Sequence, residues 1–78
     1  MEELIDYIAR SLVDDPTQVD IRQRRRGPAV IYELSVAKED MGRVIGKNGR
    51  VASAMRTLLR VAAAREGAKV SLDIVDPE

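Results

Sequence analysis

Apolar positions recur along this chain at two periods, and the switches between them predict its elements. Leu4, Ile5, Ile8 and Leu12 fall at helical spacing, with Glu2, Glu3 and Asp6 near the start, where the helix dipole favours acids. Asp14-Asp15-Pro16 ends that helix. Val19 and Ile21 then alternate with Asp20 and Arg22, a strand pattern. Arg24-Arg25-Arg26-Gly27-Pro28 reads as a basic turn. Val30, Tyr32, Leu34 and Val36 alternate with Ile31, Glu33 and Ser35, a second strand. The connection is short, so the two strands should form a hairpin.

Lys38-Glu39-Asp40 opens the next helix, whose stripe is Met41, Val44 and Ile45. Gly42 inside it costs ~1 kcal/mol relative to alanine. Either a ligand or the sheet must pass close to the helix backbone there. Gly46-Lys47-Asn48-Gly49 breaks the pattern, and a third helix starts at once and runs to Arg65. Its expected stripe is Val51, Met55, Leu58 and Ala62, widened by Ala54 and Leu59. Glu66-Gly67 ends it. Val70, Leu72 and Ile74 alternate with Lys69, Ser71 and Asp73, a third strand, and residues 76–78 form a tail.

All three strands alternate, so the sheet should be covered on one face only. Three helices on that face make a two-layer α+β domain of order α-β-β-α-α-β, occupying residues 1–78 as one unit. The last two strands are joined through two helices, so they should run parallel with a right-handed crossover. Asp20, Arg22, Ile31, Glu33, Ser35, Ser71 and Asp73 would face outward as a wet, mainly polar surface.

Composition narrows the chemistry. Seventy-eight residues make one small domain, and 45% hydrophobic with 33% charged residues is a globular balance. Without cysteine or histidine the chain lacks thiolate ligands, disulfides and the commonest general base. No metal or cofactor is expected. No apolar run approaches a membrane span and the start lacks a signal-peptide pattern, so a cytoplasmic location is expected. Net charge is zero but unevenly spread. The first twenty residues hold six acids and one base, whereas residues 21–66 hold eleven bases and four acids. A neutral domain with a basic middle can still present a basic face.

The break at Gly46-Lys47-Asn48-Gly49 concentrates that charge. Glycines at both ends let a backbone come close to a ligand. The break lies at a helix N-terminus, where free N–H groups and the dipole favour an anion. Lys47 and Arg50 add formal charge, so a phosphate is the ligand this chemistry fits. Taken alone, the same four residues also fit a C-cap glycine and a plain turn between helices. The break is not a nucleotide-binding P-loop, because it lacks the longer spacing and the Lys-Ser/Thr ending. The carboxylates form no catalytic grouping, and no enzymatic activity is expected.

Val44-Ile45-Gly46-Lys47-Asn48-Gly49-Arg50, set between two core helices in this element order, resembles the central signature of the type II KH domain. The resemblance covers essentially the whole chain, as in small bacterial RNA-binding proteins made of a bare KH domain. It implies that the Gly-x-x-Gly loop clamps the backbone of about four unpaired nucleotides of single-stranded RNA. Gly46 and Gly49 would permit close approach, Lys47 and Asn48 would point outward, and Arg50 and Arg43 would lie near phosphate. Val44, Ile45 and Val51 are candidates for an apolar groove floor or for core, with Ile45 the one expected to be partly exposed.

Arg24, Arg25 and Arg26 are candidates for an opposite rim of the groove or a second phosphate contact, and equally for a solvated hairpin tip. Arg56 and Arg60 read as surface charges. Tyr7 and Tyr32 are the only aromatics. Base stacking, worth ~1–3 kcal/mol per base, is therefore scarce. Useful affinity would need a second copy or a partner. The resemblance implies a homodimer or a heterodimer with another KH-containing RNA-binding protein. Ala52, Val61, Ala63 and Ala64 on the last helix are surplus apolar residues that such an interface could use. The competing functional reading is an interaction module that recruits an RNA-binding partner, with RNA contact secondary.

Overall fold

The computed structural model describes residues 1–77. The N-terminal helix spans Glu2–Leu12 (α1), and the hairpin strands span Asp20–Arg26 (β1) and Ala29–Ser35 (β2). Two helices follow, Met41–Ile45 (α2) and Arg50–Arg65 (α3), and the last strand is Lys69–Ile74 (β3). Short 3-10 turns at Pro16–Gln18, Lys38–Asp40 and Lys47–Gly49 link them.

The sheet order is β1-β2-β3. β1 and β2 are antiparallel from Asp20↔Ser35 to Arg26↔Ala29, and β2 and β3 are parallel from Ala29↔Lys69 to Leu34↔Ile74. The element order and the mixed sheet are those expected, giving a type II KH-like α+β fold. The basic stretch is a correction. Arg24, Arg25 and Arg26 belong to β1, and only Gly27-Pro28 turn, with Gly27 at φ 60°. These arginines hid the strand because an edge strand that is polar on both faces shows no alternation.

The core is built from Ile5 and Ala9 of α1, Tyr32 and Leu34 of β2, Val36, Val44, Met55, Leu59 and Leu72. On α3 the buried stripe is Ala52, Met55, Leu59 and Ala63, rotated from the expected one. Small side chains at 52 and 63 let the helix backbone approach the sheet, which turns Leu58 out to 51% exposure. Ala52 and Ala63 are therefore core, not surplus surface.

On the open face, cross-strand register forms rows: Arg26, Ala29 and Lys69; Arg24, Ile31 and Ser71; Arg22, Glu33 and Asp73. The exception to its wet character is Ile31, which is buried although it stands outside the core cluster. Arg24 lies directly across from it and reaches along the same face to Glu33, at 3.1 Å. An arginine stem can cover an aliphatic neighbour in this way while its charged head stays wet.

Candidate functional site

The loop between α2 and α3 is held by its own backbone. The Gly46 N–H donates to Gly42 O at 2.9 Å, and the Gly49 N–H donates to Gly46 O at 3.1 Å. The Arg50 N–H closes the turn on Lys47 O. Gly46 takes φ 77° and ψ 170°, a region open essentially to glycine alone. Asn48 (φ 58°, ψ 26°) and Gly49 (φ 73°, ψ 16°) follow in the left-handed region, which asparagine tolerates better than most residues.

This conformation exposes Lys47, Asn48 and Arg50. Among the described residues none of the three makes an ion pair or a side-chain hydrogen bond. α3, a helix of 16 residues, begins without a side-chain cap. The Arg50 N–H is taken by Lys47 O, but no side chain caps the first turn of α3, and two unpaired cations stand beside its positive dipole end.

The apolar candidates separate. Ile45 is 38% exposed beside the loop, whereas Val44 has no exposed surface and is core. Val51 is half-buried against the core. A Cβ on Gly42 would meet nothing within 4 Å, so packing against the sheet does not explain this glycine. It leaves the backbone of α2 bare toward solvent next to Arg43.

Arg43 is turned away from the free cations. Its Nη2 donates to Asp14 Oδ2 at 3.0 Å, and its Nε lies 3.3 Å from Asp40 Oδ1. Asp40 is a buried carboxylate, 2% exposed. It accepts the Asp14 N–H at 3.0 Å and the Asp15 N–H at 3.1 Å. Asp40 therefore pins the end of α1 to the start of α2 and fixes the helix that carries the loop. Sequence reasoning missed it, since its main partners are backbone groups 25 and 26 positions away.

Gly49, Ser53, Arg56 and Arg60 share one side of α3 by helical spacing. That side leads from the loop to the outer edge of β3. There a depression of about 230 Å³ is lined by Arg56, Leu59, Arg60 and residues 70–73. Arg56 Nε donates to Leu72 O at 3.0 Å, satisfying one carbonyl of that edge. Arg56 and Arg60 thus border a depression at the β3 edge, on the side of α3 that also carries Gly49 and Ser53.

Arg24, Arg25 and Arg26 stand at the far end of the sheet from the loop. α3 runs back along β3, so the loop lies at the end where β2 and β3 finish. The arginines sit at the end where β2 and β3 start, in register with Ala29 and Lys69. The length of α3, about 24 Å at 1.5 Å per residue, separates the two ends.

A sequence profile described as KhpA/KhpB, KH domain, matches residues 2–74. The chain belongs to this family. It is 46% identical over 76 residues to the RNA-binding protein KhpA of Chlamydia trachomatis, covering 97% of each chain. It is 47% identical over 75 residues to the RNA-binding protein KhpA of Clostridium perfringens, covering 96% of this chain and all of that one. The KhpA of Listeria monocytogenes is 47% identical over 76 residues, covering 97% of this chain and all of that one. No solved structure matches the chain. Within the KhpA/KhpB family the Gly46–Gly49 loop is this chain's Gly-x-x-Gly segment. No helix among the described residues is long and apolar enough to cross a membrane.

Proposed function

We propose that this KH-domain protein binds single-stranded RNA, clamping the sugar-phosphate backbone at Gly46–Gly49. The observation that carries the reading is the pairing of an uncapped helix N-terminus with the exposed, unpaired Lys47 and Arg50. Phosphate would meet the N-terminal dipole end of α3 and these two cations. Asn48 offers an amide, and Ile45 gives an adjacent base an apolar surface. The strand then follows Ser53, Arg56 and Arg60 toward the β3 edge. Positioning rather than bond-breaking chemistry is the role of such a surface, and a binding protein of cytoplasmic RNA is the whole activity proposed.

Few bases can be stacked, because Tyr32 is buried. Tyr7, on α1, is the one exposed aromatic among the described residues. A single domain reading about four nucleotides is a weak binder. Fluorescence anisotropy with a labelled single-stranded RNA tests the reading. Single-stranded competitor should displace it and duplex of equal length should not, since the groove takes unpaired bases. Equal competition by duplex overturns it.

A specific surface favours association as part of the same function. Leu58 and Val61 are 51% and 52% exposed and line an apolar depression of about 590 Å³ with Met1, Leu4, Ala62, Arg65 and Glu66. A second KH domain docking there would join two weak RNA sites and raise affinity through effective concentration.

A further inference from the structure

The open face of the sheet is electrically polarised along its length. At the hairpin end the first row is Arg26, Ala29 and Lys69, and the second is Arg24, Ile31 and Ser71. At the other end Asp20, Glu33, Asp73 and Asp76 gather around Arg22. One ion pair lies within the acidic end and one links the two ends. Arg22 is held by Asp20 at 3.2 Å, and Arg24 reaches Glu33 at 3.1 Å. Among the described residues Arg26 and Lys69 have no acidic partner, and both are exposed.

Neighbouring strands lie about 4.8 Å apart, so Arg26 and Lys69 flank Ala29 at roughly 10 Å backbone to backbone. Arg24 follows Arg26 by two residues, about 7 Å along the strand. Three cationic side chains thus surround a shelf of small or neutral residues, Ala29, Ile31 and Ser71. The shelf has no aromatic and no exposed large apolar anchor of the kind protein interfaces centre on. A regular row of cations on a flat floor suits a repeating anion.

We propose that this shelf is a second, sequence-independent contact for the phosphate backbone of single-stranded RNA, formed by Arg24, Arg26 and Lys69. It rests on the reading that the Gly46–Gly49 loop binds such RNA. The shelf stands about 24 Å from the loop, the length of α3, and on the opposite layer of the domain. Four nucleotides held at the loop do not reach it. A longer strand wraps around the end of the domain and does, so the contact makes affinity depend on RNA length.

The test compares oligouridylates of five and twenty nucleotides on the full chain, with folding checked by circular dichroism. Arg24→Gln with Arg26→Gln and Lys69→Gln should flatten the salt dependence of 20-mer binding by about 1.4 to 2.1 in log K against log salt, the share of two to three contacts. Binding of the 5-mer should stay unchanged. Glu33→Gln frees Arg24 and removes a carboxylate, so it should tighten the 20-mer and leave the 5-mer alone. This second variant decides the matter should the first lose its fold. An unchanged 20-mer slope in the folded triple variant, or equal loss on both lengths, overturns the shelf; the first result leaves it to an acidic protein partner at most. Failure of the unaltered chain to bind even the 5-mer overturns the loop reading instead, and the shelf with it.

Discussion

Gly46 lies so close to Val51 that a Cβ at position 46 would sit 2.8 Å from the Val51 backbone nitrogen and 2.8 Å from its Cβ. The end of α2 is thereby pressed against the first turn of α3. Gly49, three residues on, has open space where its Cβ would be. The two glycines of the loop do different work: the first makes the packing possible, the second leaves the surface bare.

Substitutions should separate these roles. Gly46→Ala forces a steric clash and a backbone conformation that costs of order 1–3 kcal/mol, so it should lower the melting temperature and distort the loop. Gly49→Asp should fold with a penalty of about 1–2 kcal/mol and abolish RNA binding, because it sets a carboxylate against phosphate. Gly49→Asn, which tolerates the left-handed backbone, should retain most of the binding. Thermal melts beside anisotropy titrations distinguish the cases; full RNA affinity in Gly49→Asp removes the loop from the mechanism.

The loop was legible in the sequence because Gly-Lys-Asn-Gly interrupts two apolar stripes that are otherwise continuous. The hairpin and the parallel strand were legible from period-two alternation and connection length. The rotation of α3 was not, since Leu58 looks more core-like than Ala52 or Ala63, and only the closeness of helix to sheet decides for alanine. The ion pairs of Arg43 were not legible, because its partners Asp14 and Asp40 come together only in three dimensions. The buried side chain of Asp40 carries no sequence signal, because backbone donors have no residue identity.

Removing Asp40 should loosen the platform beneath the loop. Asp40→Ala strands the Asp14 and Asp15 N–H groups and takes one of two acids from Arg43. These donors are part-buried, so each costs toward the lower end of the roughly 1–3 kcal/mol of an unsatisfied buried group, and a loss of about 2 kcal/mol is expected. Denaturant unfolding measures it. A loss below 0.5 kcal/mol, about the size of an ordinary surface substitution, would show that the clip is dispensable.

Alkaline pH should weaken the fold through Tyr32. Burial pushes its phenol above the usual value of 10.0, aided by Glu2, Glu3 and Glu66 and opposed by Arg25. The folded state then keeps a proton that the unfolded state gives up. Stability from this group is complete below pH 10 and falls as pH rises from there through the raised folded value. Tyr32→Phe should remove that part of the decline in denaturant midpoints as pH rises above about 10. An identical decline in the variant would assign it to other groups.

Association should depend on Leu58 and Val61, not on Ala63. A charge at Ala63 enters the core and should unfold the domain. Val61→Glu or Leu58→Lys leaves the core intact and should shift sedimentation toward the monomer while single-site RNA affinity stays within about twofold, a free-energy change near the 0.5 kcal/mol of a surface substitution. A monomer at high micromolar concentration, unaffected by either change, refutes self-association through this patch. Pull-down with the same variants then decides whether a different KH protein docks there.

Electrostatics gives the most direct measure of how many phosphates the loop side holds. Lys47 and Arg50 are its unpaired cations, with Arg56 and Arg60 along the groove, so two to four phosphates should be neutralised on a short RNA. At about −0.7 per contact on single strands, log K against log salt should fall with a slope of roughly −1.4 to −2.8. Lys47→Ala should flatten the slope by up to about 0.7 and weaken all sequences alike, because a lysine at a phosphate carries no base information. Arg43→Ala should leave the slope nearly untouched, since its charge is already spent on Asp14 and Asp40. The reverse ranking, with Arg43 dominating and Lys47 silent, would mean that RNA breaks the Arg43 ion pairs on binding and that the geometry of the free loop is not the geometry that holds phosphate.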